Sequence, residues 1–171
     1  MKKNILLLSM GLSVSVTVFA SQALATVRDQ RIVAAHQRWS TEAQMGVAYK
    51  QLLIATSRQR LVNSPGTSEI AKQVHADAEQ KKREYEKAEA TWSTAYYKAA
   101  ALYRMEGHLA TENKLSDFQS MRSGLNEALY QNQTFATQAQ RARRDAVAQE
   151  LTGFIDKVEM DHFISKVERY Q

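Results

Sequence analysis

Four histidines, His36, His75, His108 and His162, are the side chains of this sequence best suited to metal ligation or proton transfer. Two ligands on one helix share an ion only when they sit three or four residues apart, and no two of these histidines do. A helical bundle can still gather distant ligands, and Met45, Met105, Met121 and Met160 offer thioethers. A haem- or metal-carrying bundle, or a small periplasmic enzyme, is therefore the alternative reading of the chain. The histidines are more simply helix-surface residues and the methionines gap fillers. No cysteine nucleophile, Gly-rich phosphate loop, His-Glu-x-x-His run or Cys-x-x-Cys-His haem attachment is present. The expectation is a protein that is not an enzyme and carries no cofactor or metal.

The carboxylates sit among bases. Glu79 precedes Arg83, and Lys82 precedes Glu86, at the four-residue spacing that supports a helix. Arg141, Arg143 and Arg144 form the densest basic knot, followed by Lys81, Lys82 and Arg83. Nucleic-acid binding requires such patches with interleaved aromatics, and both knots read better as solvated faces. Trp92, Tyr96 and Tyr103, close to Tyr97, read as packing residues and not as a platform for stacking sugars. No nucleic-acid partner is expected.

The first 25 residues carry a different kind of information. Lys2 and Lys3 precede an uncharged, mostly apolar run, and Ala23-Leu24-Ala25 places small residues at the −3 and −1 positions before Thr26. That layout is a secretory signal peptide cleaved near Ala25, which leaves residues 26–171 as a single helical domain in the periplasm or outside the cell. Without Lys2 and Lys3 the 23 basic residues become 21 against 18 acidic ones, a mild surplus. There is no cysteine for a disulfide or a lipid anchor, and no second long apolar run, so no stable membrane insertion is expected after cleavage.

These residues must be positioned by helices. After Thr26 there is one proline, Pro65, and the chain is rich in Ala, Gln, Glu, Lys and Arg. Turns at 63–68 and around Gly107–Ser116 divide it into helices of 26–62, 68–106 and 116–160. Ser68 or Thr67 caps the second and Ser116-Asp117 opens the third. The expected fold is all-α, an elongated antiparallel three-helix bundle, with a short fourth helix if the chain bends at Met160-Asp161.

Contact faces follow from the spacing. The first helix offers Ile32, Ala35, Trp39, Ala43, Gly46, Leu53 and Leu61, with Gln30, Gln37, Gln44 and Gln51 as a solvated flank. The second offers Val74, Ala78, Lys81, Tyr85, Ala88, Trp92, Ala95, Ala99 and Leu102. The third offers Phe118, Met121, Leu125, Ala128, Phe135, Ala139 and Ala142, with Asn132 as a register-fixing polar residue. Its stripe then shifts to Val147, Leu151, Phe154 and Val158.

Two segments have more apolar surface than one contact face requires. Around Val47–Ala55, Leu53 and Ile54 point to the core while Ala48 and Leu52 point away. Met160, Phe163, Ile164 and Val167 lie nearly opposite the preceding stripe. Together with Leu52 they are the candidate partner-binding residues. The sequence reads as an exported helical binding or assembly protein of the bacterial envelope, engaging a protein partner or itself. In layout alone it resembles periplasmic holdase chaperones and the helical accessory subunits of secretion or conjugation machines. It lacks the strand-built body of the Skp-like chaperones. A secreted effector or inhibitor is the remaining alternative.

Overall fold

The computed structural model describes residues 3–62, 68–111, 116–131 and 137–168, with side chains from Gln22 onward except Lys166. The protein is all-α, with helices α1 (Lys3–Leu61), α2 (Glu69–Thr111), α3 (Asp117–Tyr130) and α4 (Gln138–Glu168). Asn132, Phe135, Pro65 and Tyr170 lie outside the described residues.

Four boundaries differ from the sequence reading, the first being that α1 begins at Lys3 and not at residue 26. Gly107 does not end the second helix, which runs on to Thr111. The third helix is two, α3 and α4, so the bundle has four helices among the described residues. No short helix starts at Asp161, because α4 passes through it without a break. Caps mark the starts of α2 and α3 where the sequence reading places them. Ser68 Oγ accepts from the Ala71 amide, and Ser116 with Gln119 forms a reciprocal capping box. A second box opens α4: Gln140 N–H donates to Thr137 Oγ1 and Thr137 N–H to Gln140 Oε1.

The chain forms two compact units. The first joins Met1–Ala34 to Tyr97–Gln171 and the second is the hairpin Ala35–Tyr96. The core of the first unit is built on Val27, Leu102, Met105, Met121, Leu129, Val147 and Ile155, all essentially inaccessible to solvent. Ala23 is buried as well. Charged pairs tie its helices together at the rim. Arg28 reaches Glu106 at 2.8 Å and Arg31 pairs with the same carboxylate. Arg122 holds both Asp156 at 3.0 Å and Glu159 at 2.7 Å, and Lys98 meets Glu150 at 2.6 Å. Gly124 marks the closest approach of α2 and α3. A Cβ placed there would lie 2.7 Å from the Met105 backbone nitrogen and 2.8 Å from the Arg104 carbonyl, so only glycine fits without separating the helices.

In the hairpin unit, α1 and α2 run antiparallel in a constant register. Arg38 stacks over the Tyr96 ring, Tyr49 meets Tyr85, and Gln59 bonds His75 at 2.7 Å. The expected α2 face is the one used: Ala78 and Ala95 are buried, with Val74, Lys81, Tyr85, Ala88 and Trp92 half-buried. Of the expected α1 face only Ala35 and Gly46 are half-buried there. The buried and half-buried positions of this strand of the hairpin include Arg38, Thr41, Met45, Ala48, Leu52, Ala55 and Gln59, an alternation of threes and fours, with Ala35, Gly46, Thr56 and Val62 half-buried beside it. Trp39, Ala43, Leu53 and Leu61 are exposed, as is Ile32 in the first unit.

Hydropathy misplaces the seam because several of its residues, Arg38, Thr41 and Gln59 among them, are polar. Thr41 Oγ1 donates to the Gln37 and Arg38 carbonyls, each at 2.9 Å, and Arg38 uses its guanidinium face on Tyr96. Alanines fill the rest and let the two backbones approach.

Candidate functional site

The four histidines are distributed over separate environments. His36 is exposed with its ring edge-on to Trp39, and His75 is engaged by Gln59. His108 Nε2 lies 2.7 Å from Glu127, and His162 rests against Phe118 with ring centroids 5.9 Å apart. Among the described residues no three His, Asp or Glu side chains converge as a metal site would require. Met105 and Met121 are core residues, while Met160 is exposed.

The carboxylates have structural partners. The Arg28 hydrogen bond, reinforced by the charge of Arg31, holds the Glu106 carboxyl below its ordinary range despite partial desolvation. Glu127 is held down by its bond to His108, with Arg104 assisting. Burial pushes the Asp117 carboxyl up, opposed by the charge of His162. A general acid or base needs an open approach for a reacting atom. Glu106 and Glu127 instead spend their lone pairs on helix-to-helix pairs. In the basic knot, Arg144 is bound to Asp145 at 2.9 Å and lies 4.6 Å over the Tyr130 ring. The aromatic group divides: Trp92 and Tyr96 pair at 5.6 Å in the hairpin unit, while Tyr97 is in the core of the first unit and Tyr103 is exposed.

What remains is exposed apolar helix surface, grouped most densely in two places among the described residues. On α4, the inward stripe continues from Val147, Leu151 and Ile155 through Val158, His162 and Ser165. Opposite it, Met160, Phe163, Ile164 and Val167 project outward with 42–63% of their surface exposed. Their spacing of three, four and seven residues makes one continuous ridge, the form in which a helix presents anchors to a groove. The segment does not fold back onto its own bundle, since both stripes belong to one uninterrupted helix.

On α1, the side facing away from the hairpin seam carries Trp39, Val47, Leu53, Ile54 and Leu61, each 47–83% exposed. Leu53 and Ile54 were expected in the core and Leu52 outside it; the structure reverses them. Leu52 is half-buried in the seam and is therefore not part of an outward ridge. The back of α2 in the same unit is charged and polar instead, with Lys72, Gln73, Glu79, Gln80, Arg83, Glu86 and Lys87 all exposed. The hairpin thus has one wet side and one apolar side.

Among the described residues no helix is long and apolar enough to cross a membrane. Comparison with protein-family models, with curated proteins and with solved structures finds no match for this chain.

Proposed function

We propose that this is an exported, non-enzymatic binding or assembly protein of the bacterial envelope, which engages a protein partner through the C-terminal ridge of α4. The observation that carries the reading is the exposed row Met160, Phe163, Ile164 and Val167 on a helix whose other side is already satisfied by the core. Four such side chains contribute roughly 6 to 10 kcal/mol when fully buried, at ~1.5 to 3 each, before ordering costs. That is enough to anchor a helix in a groove and too large an apolar row to be explained by scattered surface residues. Export is supported by the charged, apolar and small-residue succession of the first 25 positions.

The test is a photocrosslinking side chain placed at Phe163 in intact cells, with one at exposed Thr152 as control. A discrete adduct from Phe163 only, lost in the Phe163→Ser, Ile164→Ser double variant while the melting temperature stays within about 2 °C of the parent, supports the reading. A large fall in melting temperature would mean the ridge is part of the fold. N-terminal sequencing of the same material should find Thr26; an intact Met1 in a membrane fraction would replace export by anchoring.

A further inference from the structure

The outward face of α1 in the hairpin unit raises a separate question. In an antiparallel two-helix coiled coil the positions opposite the seam are normally the most polar, as they are on α2. Over residues 39–57 of α1 those positions are Trp39, Ser40, Ala43, Gly46, Val47, Lys50, Leu53, Ile54 and Ser57, with a single charge. The apolar members recur at the same seven-residue interval as the seam itself: Val47, Ile54 and Leu61 on one line, Trp39 and Leu53 two heptads apart on the next. A helical period on the outer surface calls for another helix along it.

We infer that the occupant is the same face of a second copy of this chain, packed antiparallel about a two-fold axis near Gly46 and Val47. In that register Trp39 of one copy lies over Ile54 of the other, Ser40 over Leu53, and Ala43 over Lys50. Large side chains therefore meet at the two ends and small ones at the centre, where Gly46 lets the helices close; a Cβ at Gly46 meets nothing within 4 Å in the single chain. The charges agree as well. Lys50, the one cation on the face, falls beside Ala43 and the exposed Glu42 of the other copy, not against its own symmetry mate. A parallel pairing would place Lys50 against Lys50.

The strip over residues 39–57 is about 27 Å long at ~1.5 Å per residue and about 10 Å wide. With side-chain relief, two strips remove roughly 800 Å² from water, below the ~1,000 Å² of a stable specific interface and in the range of weak ones. The dimer is accordingly weak, with a dissociation constant on the order of 1–100 μM. It does not depend on the α4 ridge.

The absence of cysteine makes the test direct. The full chain as isolated from cells is given Gly46→Cys or, separately, Ser57→Cys, and mildly oxidised across a range of concentrations. Gly46→Cys should crosslink to a disulfide dimer, and Ser57→Cys, about 30 Å from its mate in this register, should not. Crosslinking of both variants to the same extent, or of neither, overturns the proposal. Sedimentation equilibrium of the parent should show a monomer–dimer mixture. Ile54→Glu should raise the dissociation constant about 100-fold with an unchanged helical melting curve. A strictly monomeric parent overturns the proposal, as does a dimer insensitive to Ile54→Glu. So does a dimer abolished by Phe163→Ser with Ile164→Ser, which would place the interface on α4 and leave the α4 reading standing.

Discussion

Replacing Gly124 by alanine should destabilise the protein, although alanine is the better helix former. Gly124 lies inside α3, where Gly→Ala at an open site contributes about 0.8–1 kcal/mol of helix stability. The added Cβ would sit 2.7 Å from Met105 N and 2.8 Å from both the carbonyl carbon and oxygen of Arg104. Ordinary contact begins near 3.4 Å, so α2 and α3 must part by about 0.7 Å locally. Backbone atoms in mid-helix cannot rotate aside. A gap of this order forfeits about a quarter to a half of the dispersion energy of the contacts it opens. Buried Leu102, Met105, Met121 and Leu125 lie along that junction.

Overpacking of this kind costs ~1–3 kcal/mol and somewhat more where backbone must move. After the helix-propensity gain of about 1 kcal/mol, a net loss of up to about 2 kcal/mol remains. For a chain of this size the melting temperature falls by ~2–4 °C per kcal/mol, hence by up to about 8 °C. Gly153, helical and exposed with nothing within 4 Å of a built Cβ, is the internal control. Gly153→Ala should raise the melting temperature by a few degrees. Opposite signs in parallel circular dichroism melts are the expected result. A Gly124→Ala variant as stable as Gly153→Ala would show that the two helices are not in backbone contact.

Ala95→Glu should lower the melting temperature far more than Gln44→Glu, because Ala95 is buried in the hairpin seam and Gln44 is exposed. An unpaired buried carboxylate costs several kcal/mol, about 3–5; equal melts would refute the seam. For Glu106, the folded pKa is lowered, so its contribution to stability is present above the ordinary carboxylate value of 4.5 and is lost as pH falls through the folded value. Asp117, pushed up by burial, works in the opposite sense, its contribution fading as pH rises through its own folded value. Glu106→Gln isolates the first effect. It should be less stable than the parent at pH 7, with the difference narrowing below about pH 4; a pH-independent difference would mean that shape, not charge, holds Arg28 and Arg31.

The class of the fold and the α2 face from Val74 to Leu102 were legible in the sequence, since Ala78, Ala95, Ala99 and Leu102 fall on a clean three-four spacing in an otherwise charged helix, whereas buried Ala71, Ala101 and Met105 were not. The start of α3 at Ser116 was legible for the same kind of reason, a cap followed by an apolar stripe. Its end was not. The signal was Thr137-Gln138-Ala139-Gln140, a second capping box of the Ser116–Gln119 type, hidden because the apolar spacing continues on both sides of it.

The α1 face was misread because size and hydropathy favour Trp39, Leu53 and Leu61, whereas close packing against alanines favours Ala48, Ala55 and hydrogen-bonded Thr41. On α4 the apolar surplus was visible, but not its cause. The inward stripe passes through His162 and Ser165, polar residues that conceal its continuation and made a bend look necessary.

The discontinuous first unit has a consequence for the order in which contacts form. Bringing Arg28 to Glu106 in an otherwise open chain closes 78 residues, whereas Gln59 to His75 closes 16. The difference in chain entropy is about 1.4 kcal/mol from length alone. Once the hairpin turn is made, each further contact along α1 and α2 encloses only a short new stretch. The 62 residues that interrupt the first unit then act as a strap already cinched. The segment ending at Ala34 is delivered to Leu102 and Met105 by zipping, and a long-range search is avoided.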